Sequence, residues 1–353
     1  MNGRRDVLKD RFLGCLLAGA AGDALGYAVE FTSYKGIIEA YGHPGITAYE
    51  LDRRTGTAII SDDTQMTLFT AAGLLEDAKA PMEERSNHTA HQAIYHAYLD
   101  WLHTQNPYGA DRNRKLLLND ERLYALRAPG NTCLSALRSG QCGDMDNPIN
   151  NSKGCGGVMR TAPVGLMAGE DADEAKILEL GALAAAITHG HPLGYLPSAM
   201  FSLIVYRLAY AQENEPLDAV VTYVCDVMEE EYAQDPACAS LLKQVNHAQR
   251  LAGNGLDDLQ NIRELGEGWV GDEALVIALY CALRHEDSIT DTLVAAVNHS
   301  GDSDSTGAIA GNILGAKLGA SAIEEKFLRD LEMKELIEDV ALRMLDAALP
   351  EDA

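Results

Sequence analysis

The sequence predicts an all-α protein that folds as one compact helical bundle. Long stretches carry apolar residues at helical spacing together with many Ala and Leu, a pattern typical of helices with a buried face. Few stretches show the alternation of Val, Ile and Thr that favours a strand. No Ser- or Pro-rich linker divides the 353 residues, and no repeat of fixed period is visible. We therefore predict a single domain over residues 1–353, with residues 1–10 as a candidate flexible N-terminal arm.

Helices are predicted where the helical spacing of apolar residues persists, and loops where Gly, Pro, Asn and Asp cluster. The predicted helices are 11–31, 63–79, 88–104, 132–139, 174–187, 194–212, 216–233, 238–251, 272–284, 289–297, 305–318 and 323–348. The predicted loops are 42–56, 105–114, 128–131, 140–157, 169–173, 253–272 and 299–304. The segment Ile46–Ile60 is the best candidate for a strand, with a loop as the alternative.

Two of these helices carry a small residue at every fourth position. This spacing places the small residues on one helix face, where a neighbouring backbone can approach closely. A glycine inside a helix costs about 0.5–1 kcal/mol relative to alanine, so a stripe of them calls for a packing reason. We expect both helices to be central and tightly packed, in the simplest case against each other. The stripes are Gly14, Ala18, Gly22 and Gly26 near the start, and Gly307, Gly311, Gly315 and Gly319 in the last third.

The charge and the cysteines limit the classes of partner and compartment. Lys and Arg number 28 and Asp and Glu 53, a formal net charge of −25. Such acidity argues against nucleic acid or an anionic membrane as the main partner and is compatible with bound cations. Charged residues interrupt the first apolar run, so no secretory signal is predicted, and the weakly charged stretch 192–206 is too short to span a bilayer. The 7 cysteines form no CxxC pair, which favours reduced thiols and a cytoplasmic location.

The first cluster with chemical potential is Ser61-Asp62-Asp63-Thr64, immediately before a predicted helix. One of these residues would suffice as an N-cap, because a single side-chain oxygen satisfies an orphan backbone N–H group. Two hydroxyls and two adjacent carboxylates supply more hard oxygen than a cap needs. Such donors suit Mg²⁺, Mn²⁺ or Ca²⁺. Both interpretations stay open for this cluster taken alone.

The second cluster is the segment 298–306, which contains Asp302 and Asp304 and leads directly into the second glycine-striped helix. An EF-hand loop starting at Asp302 would need Glu at its twelfth position, where this chain has Ile313. The EF-hand interpretation is therefore excluded. If the two acidic clusters meet, their four aspartates repel one another unless cations lie between them. A pair of divalent ions at one site is the natural arrangement.

Three further segments are weaker candidates. Asp23 and Glu30 lie two turns apart on one face if the first helix continues that far, either as site residues or as a salt-bridged surface. The glycines in Gly154–Pro163 would let backbone N–H groups surround an anion such as a diphosphate, with a flexible turn as the alternative. The segment Thr188–Tyr195 has two histidines at i and i+2, suited to a ligand contact or to a structural turn.

Taken together, these segments resemble the ADP-ribosylglycohydrolases, in particular the dinitrogenase-reductase-activating and ADP-ribosylarginine hydrolase type. The resemblance runs in the same order over nearly the whole chain. The matching segments are GAAGDALGYAVEF at 19–31, SDDTQMTLFTAAGLL at 61–75, GCGGVMRTAPVGL at 154–166, ITHGHPLGY at 187–195, GEGWVGDEALVIALYCAL at 266–283 and NHSGDSDSTGAIAGNILGAKLGA at 298–320.

The resemblance implies an all-α, single-domain orthogonal helical bundle with a binuclear metal cleft that holds two Mg²⁺ or Mn²⁺ ions. It also implies roles for individual residues. The implied metal ligands are Ser61, Asp62, Asp63, Asp302, Asp304 and Ser305. The implied substrate-binding residues are the diphosphate-loop residues Gly154, Cys155, Gly156, Gly157 and Met159, the histidine His189, and Trp269 near the cleft entrance. Cys155 stands where Asn is common in the family, and Glu30 matches the acid of a mobile loop.

The reaction implied is hydrolysis of the N-glycosidic bond between ADP-ribose and a protein side chain, with arginine as the expected acceptor. It passes through an oxocarbenium-like state, and a carboxylate would activate water or protonate the leaving group. The candidate catalytic residues are Glu30, Asp62, Asp63 and Asp304, among which the sequence does not divide the roles. The expected partners are an ADP-ribosylated protein and ADP-ribose. Two alternatives are an immunity protein that occludes an ADP-ribosylating toxin, and a degenerate structural member, which the two complete acidic clusters disfavour.

Overall fold

The computed structural model describes residues 2–106, 116–212 and 215–349, so most of the predicted loop 105–114 lies outside the described residues. Within these ranges the chain is all-α, as predicted, and its β structure is limited to two isolated bridges. The α-helices are α1 (Asn2–Tyr27), α2 (Tyr34–Tyr41), α3 (Asp62–Asp77), α4 (Asn87–Thr104), α5 (Asn131–Arg138), α6 (Ala162–Leu166), α7 (Glu174–Ala186), α8 (Pro192–Ala209), α9 (Leu217–Glu231), α10 (Pro236–Ala252), α11 (Asp258–Leu265), α12 (Gly271–Arg284), α13 (Ile289–Val297), α14 (Ser303–Leu318), α15 (Glu325–Leu328) and α16 (Lys334–Ala348).

Helices α1 and α14 pack against each other along the two glycine stripes. A Cβ built on Gly22 would lie 2.0 Å from the carbonyl oxygen of Gly307, and one on Gly311 would lie 2.1 Å from that of Ala18. Neither position can hold a larger residue unless the backbones move apart. The predicted close approach is therefore confirmed, and it fixes the start of α14 beside the end of α1.

The core surrounds this pair. Helix α14 also packs on α12 and α13, while α8 packs on α7, α6 and α12. Almost every side chain of α8 and α12 is buried, which explains why these helices are apolar on all sides rather than on one face. No helix among the described residues is both long and apolar enough to cross a membrane.

One prediction about the first sixty residues needs correction, and one open alternative is resolved. Helix α1 already begins at Asn2, so residues 2–10 form its first turns rather than a flexible arm. Leu8 is buried there, and Arg4 donates a hydrogen bond of 2.7 Å to the carbonyl oxygen of Tyr210. The segment Ile46–Ile60, for which a strand and a loop were both open, is a loop. A single bridge at Ala58 is its only strand-like feature.

Three short helices were predicted as loops or left unassigned, namely α2, α6 and α11. Their start signals are clear once the turn residues are considered. The Ser33 side chain accepts from the N–H of Gly36 to cap α2, and Asp257 accepts from Leu259 to cap α11. The predicted helix 323–348 is divided into α15 and α16. The first helix also ends earlier than predicted, at Tyr27, with direct consequences for Glu30.

Candidate metal centre and active site

Asp23, near the end of α1, connects that helix to the first acidic cluster. Its buried carboxylate accepts hydrogen bonds from the backbone N–H groups of Ser61 at 2.9 Å and Thr64 at 3.0 Å. These two N–H groups open α3, where no partner within the helix is available to them. Burial raises the Asp23 pKa to about 6, against the effect of these hydrogen bonds, which lower it. Asp23 is thus an anchor between helices rather than one of a pair of acids on one helix face.

The first acidic cluster lies at the N-terminus of α3, with every member buried. The Ser61 hydroxyl oxygen accepts from the N–H of Asp63 at 3.1 Å, so Ser61 is the N-cap. One carboxylate oxygen of Asp62 accepts from the N–H of Gly130 at 3.2 Å. The Oδ2 atom of Asp63 is buried and has no hydrogen-bond partner among the residues that the structure describes. The cluster therefore contains both the N-cap of α3 and more hard oxygen atoms than a cap needs.

The second acidic cluster lies at the N-terminus of α14. Asp302 is the N-cap and accepts from the N–H of Ser305 at 3.2 Å. Glu30, in the turn that follows α1, reaches the same place: carboxylate oxygens of Glu30, Asp302 and Asp304 lie within 4.8 Å of one another. A Cβ on Gly26 would lie 2.2 Å from the carbonyl oxygen of Ser303, so the glycine stripe is what allows this approach.

The two clusters meet. The Ser305 hydroxyl hydrogen-bonds the carboxylate of Asp63, and the charges of Asp63 and Asp304 act on each other. Burial, and then repulsion from Asp302, Asp62 and Asp23, raises the pKa of Glu30 to about 8. Burial is also the main cause that raises the Asp62 pKa to about 8 and holds the pKa values of Asp63 and Asp304 well above their usual range.

These residues fit a group of divalent cations. The donors are carboxylate and hydroxyl oxygens, which hard ions prefer. Buried carboxylates are costly without a partner, and both Oδ2 of Asp63 and Oε2 of Glu30 lack one among the described residues. A cation of charge +2 would satisfy these oxygens and remove the mutual repulsion. The acidic cluster is therefore one that could hold metal.

The glycine-rich segment forms a short 3₁₀ helix, Cys155–Arg160, directly beside the second cluster. The Sγ atom of Cys155 lies 2.8 Å from Oδ2 of Asp302. The glycines are needed for close packing, since a Cβ on Gly157 would lie 2.6 Å from the carbonyl oxygen of Gly194. Gly154, Gly156 and Met159, the other predicted members of the loop, lie in or next to this turn.

His189 lies behind this loop and is almost fully buried. A Cβ on Gly156 would lie 3.0 Å from its Cε1 atom, and its Nδ1 lies 2.8 Å from the Thr188 hydroxyl. Burial, and then the charge of Arg160, lowers the His189 pKa to about 3, so the ring is neutral. This position is suited to supporting the loop, whereas the sequence analysis assigned the histidine to direct substrate contact.

Arg160, at the end of the glycine-rich turn, is a candidate site residue that the sequence analysis does not single out. The side chain is fully buried, lies over the Tyr98 ring with Cζ 4.3 Å from the centroid, and donates to the Thr188 hydroxyl at 2.6 Å. Within the described part of the chain it pairs with no carboxylate, and its Nε has no partner. The signal available in the sequence was a cationic residue at the end of a glycine-rich segment. Its burial without a carboxylate partner, which is rare for Arg, is visible only in the structure.

Trp269 and Phe31 form an exposed aromatic pair next to the acidic cluster. Their rings stack with centroids 6.1 Å apart, and their exposed fractions are 40% and 75%. The Trp269 carbonyl oxygen accepts from the N–H of Cys155 at 3.3 Å, which ties the pair to the glycine loop. Phe31 was also missed, although an apolar residue directly after Glu30 was visible in the sequence. A separate cavity of about 930 Å³, between α3 and α4, contains none of the acidic residues of the cluster in its lining.

Comparison with known proteins identifies the family of the chain. The ADP-ribosylglycohydrolase family model matches residues 4–353. The chain is 28% identical to the ADP-ribosyl-[dinitrogen reductase] glycohydrolase of Rhodospirillum rubrum over 349 residues, covering 96% of each protein. It is 26% identical to ADP-ribosylhydrolase ARH3 of Mus musculus over 357 residues, covering 91% of this chain and 87% of the mouse protein.

The fold is likewise similar to that of a solved structure, an ADP-ribosylglycohydrolase-related protein complex. The TM-score is 0.60 at 22% identity, and the match covers 98% of this chain and 100% of the other. At that identity the structural match speaks for the fold alone, whereas the family model covers almost every residue. The chain therefore belongs to the ADP-ribosylglycohydrolase family.

Proposed function

We propose that the chain hydrolyses the N-glycosidic bond between ADP-ribose and a modified arginine side chain of a protein. Membership of the family carries the hydrolysis of an ADP-ribosyl bond. The choice of arginine rests on charge: the guanidinium keeps a positive charge at every accessible pH, and the site is lined by carboxylates in a protein of net charge −25. Such a field favours a cationic acceptor over a neutral one.

The observation that carries the proposal is the convergence of the two acidic clusters with Glu30. The residues that would hold two divalent ions, Mg²⁺ or Mn²⁺, are Ser61, Asp62, Asp63, Asp302, Asp304 and Ser305. When bound, such ions supply Lewis-acid polarisation of the ribose hydroxyls and of the attacking water.

Glu30 is the residue best suited to proton transfer. It lies in a turn rather than within a helix, it is the most exposed carboxylate of the group at 8%, and its Oε2 has no partner among the described residues. Burial is the largest cause that raises its pKa, and unlike the repulsion from the aspartates it persists when cations are bound, which favours a protonated carboxyl. A proton held on Oε2 can pass to the departing arginine nitrogen, as a general acid requires.

The glycine loop is suited to the diphosphate. The first N–H groups of a helix have no partner within it, which makes them donors for an anion. In the 3₁₀ helix Cys155–Arg160 the N–H of Cys155 is taken by Trp269, which leaves that of Gly156 for a ligand. The buried charge of Arg160 at the other end of this turn adds a positive field behind the loop.

The test is release of label from a protein ADP-ribosylated on arginine and, in parallel, from one modified on serine, with Mg²⁺, with Mn²⁺ or with EDTA. We expect release from the arginine-linked protein with either metal and none with EDTA. Glu30→Gln should lower kcat by about 10²- to 10⁴-fold, the contribution typical of a general acid. Release from the serine-linked protein alone would transfer the proposal to that acceptor, and release from neither would contradict it.

A matched pair of variants separates the site from the fold. Asp302→Asn and Asp173→Asn each replace an aspartate that caps a helix, and asparagine is an equally good cap. Only Asp302 lies in the acidic cluster. We expect Asp302→Asn to abolish hydrolysis and Asp173→Asn to retain it, with both variants folded by circular dichroism. The toxin-immunity alternative has no support in the family or in the relatives named above.

A further inference from the structure

The thiol of Cys155 is directed at the metal site rather than away from it. Its Sγ lies 2.8 Å from Oδ2 of Asp302, and it also interacts with the Ser305 hydroxyl and with the charge of Asp63. The thiol thus contacts the second acidic cluster and lies within the electrostatic reach of the first. The backbone holds it there, because the N–H of Cys155 is bonded to the Trp269 carbonyl oxygen and a Cβ on Gly156 would lie 2.9 Å from Cys133.

A second observation shows that this thiol borders a site for a ligand. The Oδ2 atom of Asp63 is buried and unpartnered in the part of the chain that the structure describes, although the side chain is only 2% exposed. A buried acceptor with no donor indicates that something else satisfies it. The Ser305 hydroxyl hydrogen-bonds both this carboxylate and the sulfur of Cys155, so a ligand of Oδ2 would lie close to the thiol.

The chemistry of the donors makes sulfur significant. Carboxylates and hydroxyls favour hard ions such as Mg²⁺, and thiolate sulfur favours softer ones such as Co²⁺, Zn²⁺ and Cd²⁺. A thiol in contact with a divalent ion loses its proton, which leaves to solvent. Among the hydrogen bonds of the described residues, Cys155 is the cysteine that bonds a carboxylate of the clusters: Cys133 lies 3.5 Å from Arg160 behind the loop, and Cys225 is buried on α9.

We infer that Cys155 is a metal ligand of this chain and shifts the ion preference of the site toward softer divalent cations. The inference rests on the proposed metal centre and adds a sulfur donor to its oxygen donors. It assigns the glycine loop a second task, since the turn that faces the diphosphate would also contribute one ligand. Cys155 would then determine which metal supports the reaction.

The test is spectroscopic and uses the full-length protein freed of metal by a chelator. Co²⁺ is added to the wild type, to Cys155→Ala and to Cys225→Ala, the last being a buried cysteine remote from the site. Sulfur ligation gives a near-ultraviolet charge-transfer band, while oxygen ligation gives only weak visible bands. We expect the near-ultraviolet band in the wild type and in Cys225→Ala and its loss in Cys155→Ala.

Calorimetric titration with Cd²⁺ and with Mg²⁺ gives the second readout. Loss of an interaction at a metal site typically weakens the affinity about 10- to 100-fold. We expect this loss for Cd²⁺ in Cys155→Ala, with the Mg²⁺ affinity unchanged. If Cys155→Ala does not fold, the ¹¹³Cd chemical shift of the wild-type protein still distinguishes a sulfur-containing ligand set from one of oxygens alone.

The outcomes separate this inference from the proposed function. A wild type that binds Co²⁺ without the near-ultraviolet band, or a Cys155→Ala variant that keeps the band, overturns the role of Cys155 and leaves the oxygen-ligated centre intact. A wild type that binds neither Co²⁺ nor Mg²⁺ overturns the metal centre and this inference together.

Discussion

Replacing Gly311 with alanine tests how the α1–α14 contact determines both stability and the site. The added Cβ would lie 2.1 Å from the carbonyl oxygen of Ala18, whereas ordinary contacts begin at 3.4 Å, so the backbones must separate by about 1.3 Å. Overpacking of this kind costs about 1–3 kcal/mol. Alanine returns about 0.5–1 kcal/mol through its better helix propensity. Because the clash is with rigid backbone, we expect a net loss of about 2 kcal/mol in the free energy of unfolding.

The same separation of the two helices should also weaken metal binding at the proposed site. Asp302 and Asp304 lie on the first turn of α14, and moving this helix away from α1 moves both carboxylates relative to the acidic residues of α3. We expect Mn²⁺ to bind about tenfold more weakly to Gly311→Ala, the lower end of the range for a disturbed metal site. Urea unfolding in chelator measures the first effect, and calorimetric titration with Mn²⁺ measures the second.

Gly3→Ala is the matched control. Gly3 also lies in α1, but a Cβ there would meet nothing within 4 Å. This variant should be as stable as the wild type or up to about 1 kcal/mol more stable, with unchanged Mn²⁺ affinity. The reasoning is refuted if Gly311→Ala is as stable as Gly3→Ala, because the two helices would then tolerate a side chain where the geometry allows none.

Three further predictions concern the site. In the folded, metal-free protein, Asp23, Glu30 and Asp62 keep their protons up to pH about 6 to 8, whereas in the unfolded chain they lose them near pH 4. The free energy of unfolding of the metal-free protein should therefore fall as the pH rises from about 4 to about 8. One carboxyl with a two-unit difference contributes about 2.6 kcal/mol; a flat urea-unfolding profile in chelator would contradict this. Trp269 is the exposed one of the 2 tryptophans, so ADP-ribose should change the fluorescence of the wild type and not that of Trp269→Phe; an unchanged wild-type spectrum would remove the aromatic pair from the ligand site. Arg160→Met should weaken calorimetric binding of ADP-ribose but not of adenosine, and equal losses for both would indicate a general packing role.

The long helices and the α1–α14 contact could be predicted from the sequence because each depends on local or periodic information. The helices α8 and α12 have apolar runs bounded by turn residues, and the two glycine stripes share one period. The short helices α2 and α11 were missed although α5, of the same length, was predicted. Helix α11 lies within a stretch rich in Gly, Asn and Asp, which favours a loop, and α2 has Gly36 in its first turn. Their caps, Ser33 and Asp257, were the only local signals.

The site was predictable in its acidic residues and less so in their arrangement. Asp62 and Asp302 are conspicuous because carboxylates stand next to apolar helices. The position of Glu30 depended on where α1 ends, and a difference of four residues took it off the helix and into the cluster. His189 is a polar residue, yet its side chain is buried. Its neighbours along the chain do not indicate on which side of the glycine loop it lies. Such facts depend on tertiary packing alone.

The remaining question is how the fold keeps several carboxylates together before any cation arrives. Repulsion alone would drive the N-termini of α3 and α14 apart. Two features that require no bound cation oppose it: the backbone contact between α1 and α14, and the hydrogen bonds from the start of α3 to Asp23. Since neither involves a metal, the site is held in place by packing, and the unfavourable burial of its acids is relieved only when protons or cations bind. In the proposed metal centre, the glycines of the two helices would therefore influence the metal affinity together with the aspartates.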